Sequence, residues 1–231
     1  MSSKPWLPRS TRMSSAELRP LDAVFVDGFG TLVHLQDPIP ALQGALAAAG
    51  TVRTTAAVKA AFAAEVAYYR PRSLVGRDPQ SLAGLRRRCV EVFLRHAGAD
   101  ASVDDFIQPF MESLTFELTP GAEAALVTFR RNGLKVVCVA NWDIGLHELL
   151  KELGVHGHFD AVVTSASVGA EKPDTRIFEH ALEHAQAEAH RVVHIGDEDV
   201  DVDGAAAAGI RYEPPPLATL PVRLGLEATG S

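Results

Sequence analysis

One short segment, residues 23–32, constrains the fold of this chain more than any other. Four apolar residues run directly into a single carboxylate and a glycine-containing loop, Ala23-Val24-Phe25-Val26-Asp27-Gly28-Phe29-Gly30-Thr31-Leu32. A continuous apolar run is typical of a strand buried in a parallel sheet. Ligands of open α/β sheets bind just beyond the carboxyl ends of such strands. We therefore expect Asp27 at the mouth of a sheet, beside a loop whose main-chain N–H groups can approach an anion.

After residue 119 the sequence alternates strand and helix patterns. The predicted strands are 135–140, 161–165 and 191–195, with a possible last one near Ile210. The predicted helices are 122–132, 144–153, 175–187 and 203–208. This alternation indicates βαβ units and a parallel sheet, so the fold class is α/β.

Between the first strand and residue 119 the pattern is helical throughout. Four successive segments have the apolar spacing of amphipathic helices, at 42–49, 54–69, 81–97 and 103–114. No strand pattern interrupts them. Four helices in a row predict a small helical bundle inserted into the sheet domain.

The composition excludes several classes of partner. The 231 residues are 47% hydrophobic and 22% charged, an ordinary globular balance. A net charge of −7 without a basic stripe argues against nucleic-acid binding, and no apolar run is long enough to span a membrane. Cys89 and Cys138 imply no disulfide framework, so we expect a cytoplasmic protein. Residues 1–20 lack the apolar core of a signal peptide and are predicted to be a disordered tail.

Polar groups follow three further predicted strands. They are Asn141 after the strand 135–140, Lys172 after 161–165, and Asp197 with Asp201 after 191–195. The carboxyl ends of parallel strands meet at one edge of a sheet, so we expect these groups to converge with Asp27. His194 lies within a predicted buried strand and is interpreted as a core residue with a satisfied ring.

This set of groups suits phosphoryl transfer. A carboxylate such as Asp27 can attack phosphorus and form an aspartyl phosphate. Mg²⁺ prefers one or two carboxylates together with substrate oxygens, which Asp197, Asp27 and Asp201 can supply. Lys172 can hold the nucleophile and the phosphate together, and the Thr31 hydroxyl and loop N–H groups can line a phosphate pocket.

The order of these motifs resembles the haloacid dehalogenase superfamily, in the subgroup with a helical cap after the first motif. The matching segments are Asp27-Gly28-Phe29-Gly30-Thr31, Ala140-Asn141, Lys172-Pro173 and Gly196-Asp197 with Asp201. The resemblance implies a Rossmann-like core with a cap that closes over the site. It also implies that Asp27 and Lys172 are catalytic and that Mg²⁺ is the cofactor. In this scheme the metal ligands are Asp27, the Phe29 main-chain carbonyl, Asp197 and Asp201, and the groups that contact substrate or phosphate are Gly28, Phe29, Gly30, Thr31, Asn141 and Lys172.

The predicted organisation follows from these motifs. The core comprises residues 21–36 and 117–213, the cap residues 37–116, and a C-terminal tail residues 214–231. The substrate is expected to be a small phosphorylated molecule, and the protein a monomer or a homodimer. Four residues that end a predicted cap helix are interpreted as an exposed helix end rather than a substrate-facing surface: Tyr68, Tyr69, Arg70 and Arg72.

Two departures from the family pattern leave the reaction open. Phe29 stands where phosphatases of the family have a second Asp that protonates the leaving group, and Ala140 stands where a hydroxyl would bind the phosphoryl group. An aromatic residue at position 29 is similar to the dehalogenase branch, in which Asp attacks carbon. The acidic fourth motif favours a phosphatase. The hypotheses are, in order, a Mg²⁺-dependent phosphatase, a 2-haloacid dehalogenase-like enzyme, and a catalytically weak binding or regulatory protein.

Overall fold

The computed structural model describes residues 21–226, in which five parallel strands form the central sheet. The strands are β1 Ala23–Val26, β4 Lys135–Ala140, β5 Ala161–Thr164, β6 Val192–Ile195 and β7 Arg211–Glu213. Their order in the sheet is β5-β4-β1-β6-β7, with β1 in the middle. These strands match the predicted ones to within about a residue at each end, and the predicted α/β class is confirmed.

Helices cover both faces of this sheet. Those of the sheet domain are α5 Ala122–Arg131, α6 Leu146–Glu152, α7 Ser165–Val168, α8 Thr175–Ala185, α9 Asp199–Ala207 and α10 Leu220–Arg223. In β1, Val24 and Val26 pack on the face that α5 and α6 cover, whereas Ala23 and Phe25 pack on the face that α8 and α9 cover. Because both faces are buried, β1 is a continuous apolar run rather than an alternating one.

A second, two-stranded sheet leads to the inserted helices. β2 (Val33–Leu35) pairs antiparallel with β3 (Phe116–Leu118), and the four helices lie between them in sequence. They are α1 Ile39–Ala48, α2 Thr55–Tyr69, α3 Pro79–Ala97 and α4 Val103–Glu112. These helices, here called the helical segment (residues 39–112), have their own apolar core around Leu42, Phe93 and Phe110. No helix of the described residues has the length and apolarity to cross a membrane.

Helix α9 begins four residues earlier than the sequence predicts. The expected start was Asp203, but the helix starts at Asp199 because Glu198 and Asp201 form a capping box at its N-terminus. Carboxylates in the first turn of a helix are stabilised by its macrodipole, so an acidic run that reads as a loop can begin a helix. As a result, Asp201 lies on a rigid element.

The segment after Pro214 is more ordered than the sequence predicts. In place of a tail, a 3₁₀ turn at Leu217–Thr219 and helix α10 bury Leu217 and Leu220 against the sheet. Each helix is too short for an apolar period to be visible in the sequence. Residues 227–231, and the predicted disordered tail at 1–20, lie outside the described residues.

We expect Leu220→Ala to lower the free energy of unfolding by about 2–5 kcal/mol, the usual cost of removing a buried leucine side chain. Leu220 is fully buried, whereas Val222 in the same helix is 76% exposed. Val222→Ala is therefore the matched control, with an expected change below about 0.5 kcal/mol. Urea denaturation followed by circular dichroism measures both. Equal, small effects would show that this segment does not contribute to the core.

Candidate active site

Three charged groups from distant parts of the chain meet at the carboxyl end of the sheet. Asp27 directly follows β1, Asp201 lies in the first turn of α9, and Lys172 lies between α7 and α8. The Lys172 Nζ is 2.5 Å from Oδ1 of Asp27 and 2.6 Å from Oδ1 of Asp201. All three residues are buried. Burial opposes the charge of Lys172, but the two carboxylates outweigh it and raise the pKa of this lysine.

Asp201 has a second buried partner, His194 of β6. The Nε2 atom of His194 lies 2.8 Å from Oδ1 of Asp201. Burial alone would raise the pKa of Asp201, but the hydrogen bond from His194 and the charge of Lys172 lower it to about 2. Burial lowers the pKa of His194, so the neutral ring donates this hydrogen bond. The prediction that His194 is a core residue is confirmed, but its ring is satisfied at Nε2 alone, because the buried Nδ1 lacks a hydrogen-bond partner among the described residues. Nothing in the sequence linked it to Asp201.

The Gly30 loop and Asp197 form the exposed side of the site. Gly30 has φ +88°, and a Cβ atom at this position would lie 2.1 Å from Oδ2 of Asp197. Both the backbone conformation and the close approach therefore require glycine. The buried Thr31 hydroxyl lies 3.4 Å from Oδ1 of Asp197 and donates toward it. The loop therefore holds the Asp197 carboxylate in place, and in this structure it does not form an open phosphate pocket.

Asp27, Asp197 and Asp201 form one carboxylate cluster. Each offers an oxygen, and these three oxygens lie within 4.8 Å of one another. Burial raises the pKa of Asp27 to about 7 against the charge of Lys172, and burial together with Asp201 raises the pKa of Asp197. With one lysine among three carboxylates, the cluster carries an excess of negative charge. A divalent cation would compensate it, and oxygen ligands of this kind suit Mg²⁺.

Asn141 acts on Lys172 through the main chain. Its Nδ2 donates to the Lys172 carbonyl at 3.0 Å, and its Oδ1 accepts from the Lys172 N–H at 2.7 Å. The sequence predicts that Asn141 contacts substrate or phosphate, but in this structure the amide is engaged with the lysine loop. Asn141 therefore positions Lys172 at the site.

The two residues that depart from the family pattern lie where the motifs predict. Phe29 is 42% exposed and its ring is 6.3 Å from that of Trp142, whereas Ala140 ends β4 and is buried. A Cβ atom on Gly28 would lie 3.0 Å from the Ala140 Cβ, so the loop packs tightly on the end of β4. Neither Phe29 nor Ala140 offers a side-chain group that can donate or accept a proton.

A cavity of about 1140 Å³ lies between the sheet edge and the helical segment. Its floor includes Asp27, Asn141 and Lys172, together with Trp142. Its opposite wall is mostly apolar and includes Phe62, Leu82, Leu85 and Phe110 of the helical segment. Two polar members of that wall are Glu65, which is buried and which no sequence motif indicates, and Tyr69, which is half-buried. Burial raises the pKa of Glu65 to about 6.

Two side-chain contacts and the hydrogen bond from the Ile144 N–H to the Gly76 carbonyl join the helical segment to the sheet edge. The Tyr69 hydroxyl donates to Oδ2 of the buried Asp143 at 2.9 Å, and Arg70 lies 3.2 Å from a carboxylate oxygen of Glu198. The sequence favours an exposed helix end, away from the substrate, for Tyr68, Tyr69, Arg70 and Arg72. That prediction is wrong for the half-buried Tyr69, and Arg70 is exposed but also lines the cavity, whereas Arg72 stacks on Tyr68 in an exposed position. Asp143 was missed because a single Asp after a strand is common turn chemistry.

Comparisons with known proteins agree with this geometry. The sequence profile of the haloacid dehalogenase-like hydrolases matches residues 21–209. The haloacid dehalogenase-like hydrolase domain-containing protein 3 of Mus musculus is 42% identical over 113 residues, which cover 48% of this chain and 43% of that protein. The glyceraldehyde 3-phosphate phosphatase of Methanothermobacter thermautotrophicus is 38% identical over 93 residues, covering 39% of this chain and 41% of that protein. The matched region thus spans less than half the length of these two curated relatives.

Among solved structures, the putative beta-phosphoglucomutase from Thermotoga maritima superposes with a TM-score of 0.66 at 18% sequence identity. The match covers 89% of this chain and 99% of that one. At this identity the likeness establishes a shared fold.

We expect Gly30→Ala to lower Mg²⁺ affinity at least tenfold, because a Cβ atom would occupy the position of the Asp197 carboxylate. Gly50 is the matched control, since it has φ +84° but no atom within 4 Å of the added Cβ. Both variants should lose about 1–2 kcal/mol of stability from the left-handed backbone. Only Gly30→Ala should bind Mg²⁺ more weakly in isothermal titration calorimetry. Unchanged affinity in both variants would remove Asp197 from the candidate metal site.

Proposed function

Because the chain belongs to the haloacid dehalogenase-like hydrolase family, we propose that it is a Mg²⁺-dependent phosphatase of a small phosphomonoester, with a phospho-Asp27 intermediate. The observation that carries the proposal is the carboxylate cluster: Asp27 is held by Lys172 and lies beside Asp197 and Asp201. A carboxylate that attacks carbon needs no such cluster, whereas phosphoryl transfer requires the negative charge of the phosphate to be neutralised.

The residues of the site support a two-step reaction. An oxygen of Asp27 attacks phosphorus. The bond between phosphorus and the leaving oxygen breaks, and its electron pair stays on that oxygen. Water then attacks the same phosphorus, the bond to Asp27 breaks, and inorganic phosphate leaves with the carboxylate restored. Lys172 holds Asp27 in place and offers positive charge to the phosphate. Bound Mg²⁺, held by Asp27, Asp197, Asp201 and the Phe29 carbonyl, would neutralise the phosphoryl oxygens.

Phe29 determines which leaving groups react well. A side-chain acid that protonates the leaving oxygen contributes roughly 10²–10⁴ in rate, and Phe29 cannot act in this way. Water in the cavity must supply that proton. The site is therefore suited to esters whose alcohol is a good leaving group. The absence of a hydroxyl at Ala140 removes one further hydrogen bond to the phosphoryl group.

Relatives and topology support the wider assignment. The similarity to a glyceraldehyde 3-phosphate phosphatase favours phosphatase chemistry over dehalogenation. The helical segment would act as the cap, since its Tyr69 and Arg70 contact the sheet edge above Asp27. We assign the core to residues 21–36 and 117–213 and the cap to 37–116. Cys89 and Cys138 are buried and form no disulfide, which accords with a cytoplasmic location.

One observation favours a second candidate, a 2-haloacid dehalogenase-like enzyme. The exposed Phe29 ring beside Trp142 makes the entrance to Asp27 apolar. An apolar entrance suits attack on carbon with loss of halide, which leaves without a proton. Such an enzyme would release halide from 2-chloropropionate without Mg²⁺, whereas a binding protein would show neither activity.

Asp27→Asn is expected to reduce the hydrolysis of p-nitrophenyl phosphate at least 1000-fold, because an amide is a poor nucleophile toward phosphorus. Asp203→Asn removes the same charge from an exposed position in α9 and should retain activity. The release of p-nitrophenolate is followed with Mg²⁺ and with EDTA, and turnover should require Mg²⁺. Metal-independent halide release in place of phosphatase activity would refute the phosphatase assignment.

Phe29→Asp is expected to raise kcat/KM for alkyl phosphates at least tenfold while changing p-nitrophenyl phosphate much less, since only poor leaving groups need the added acid. Phe29→Leu is the control that removes the ring without adding an acid. Phosphate release from both ester types is measured for the three proteins. An equal gain in Phe29→Leu would show that the ring obstructs the site, and that a missing acid does not limit the reaction.

A further inference from the structure

The charges around the cavity are strongly unequal. Among the described residues that line it, nine are Asp or Glu, whereas the basic ones are Arg70, Arg86 and Lys172. A cavity with this imbalance repels a ligand that carries negative charge away from the phosphate. The phosphate itself is accommodated at the floor, by Lys172 and the metal of the proposed function.

Each of the three basic side chains already faces a carboxylate. Lys172 is bound to Asp27 and Asp201, and Arg70 is paired with Glu198. Arg86 lies beside Asp143: both side chains flank Gly145, and the Arg86 charge acts to lower the pKa that burial raises in Asp143. Lys172 and Arg70 are thus held in ion pairs, and the charge of Arg86 is partly offset by the neighbouring Asp143.

Glu65 lies in the apolar part of this wall. It belongs to α2, is 6% exposed, and lines the cavity with its neighbours Phe62 and Val66. The Cys89 thiol is its hydrogen-bond partner, and among the described residues no Lys or Arg forms an ion pair with it. A buried carboxylate without a cation is costly. Above pH 7 this carboxylate is ionised, so a cationic group placed in the cavity would be attracted to it.

We propose that the leaving group of the substrate is an apolar alcohol that carries an amino group, and that Glu65 is the residue that selects the amine. The proposal rests on the phosphatase activity described above. The apolar wall contacts the body of the alcohol, the carboxylate of Glu65 faces its ammonium group, and the phosphate lies at Asp27. Esters with a second anion, such as a carboxylate, are disfavoured because carboxylates outnumber cations in the described wall and the buried Glu65 repels a negative group.

The test is a matched series of aryl phosphates, assayed at pH 8 with Mg²⁺ on the intact protein. Phenyl phosphates carry, at the para position, an aminoalkyl, an alkyl or a carboxyalkyl chain of one to three methylenes. All have reactive leaving groups, so Phe29 does not limit them. For the best chain length, kcat/KM of the amine should exceed that of the alkyl ester at least tenfold and that of the carboxylate at least 100-fold. Equal rates for amine and alkyl esters, or a preference for the carboxylate, would overturn the proposal.

Glu65→Gln identifies the residue responsible. The amide keeps the shape of the side chain and removes its charge, so the ratio of kcat/KM between amine and alkyl esters should fall to near one. Glu123→Gln removes the same charge from the exposed face of α5 and should keep the original ratio. A ratio that stays high in Glu65→Gln would assign the selection to another group and overturn the role of Glu65.

Binding to Asp27→Asn separates this proposal from the proposed function. Calorimetry with the same esters reports the charge preference without turnover, and the amine should bind at least tenfold more tightly than the alkyl ester. Hydrolysis of all three esters at equal rates would leave the phosphatase intact and refute the amine selection. Tight binding of the amine without any hydrolysis would refute the phosphatase and leave the selection intact.

Discussion

The site depends on the two ion pairs that the buried ammonium group of Lys172 forms. This group joins Asp27, at the end of β1, to Asp201, in the first turn of α9, and both carboxylates are removed from water. Without the lysine, two buried negative charges would lie close together, at a cost of several kcal/mol. Because Asn141 holds the Lys172 main chain at both its N–H and its carbonyl group, the end of β4 also contributes to this position. Two strand ends and the first turn of α9 thus determine the placement of one ammonium group.

The site residues that could be predicted from the sequence are those that follow strands. Asp27, Asn141, Lys172 and Asp197 each follow an apolar run, and parallel topology alone brings them to one edge. The roles of individual side chains could not be predicted as well from the sequence. Asn141 reads as a substrate ligand but binds the lysine loop, and His194 reads as core although it donates to Asp201. Such hydrogen bonds depend on side-chain directions at a sheet edge, which an apolar pattern does not contain.

The same holds for the rest of the fold: elements with a repeating apolar pattern could be predicted from the sequence, whereas elements that depend on tertiary packing could not. Strands and long helices were predictable because their apolar periods extend over several residues. The start of α9 depends on a capping box. The order of the segment after Pro214 depends on two leucines that reach the core, Leu217 from a 3₁₀ turn and Leu220 from the four-residue helix α10. The contact between Tyr69 and Asp143 could not be predicted for a related reason, since it joins residues that are 74 positions apart. A polar pair of this kind leaves no local signature in either segment.

Under the proposed function, the group that would react and the groups that would select the substrate lie on separate parts of the fold. Asp27 and Lys172 lie on the sheet edge, where strands and α9 fix their positions. The wall that meets the leaving group comes from the helical segment, which is joined to the sheet by the β2–β3 pair. The partly buried Tyr69–Asp143 hydrogen bond is one of the contacts that fix the distance between these two surfaces. Because this hydrogen bond connects α2 to the loop after β4, the position of Glu65, one turn earlier in α2, is determined relative to Asp27. Selection at Glu65 can therefore act on a substrate whose phosphate is already held at the sheet edge.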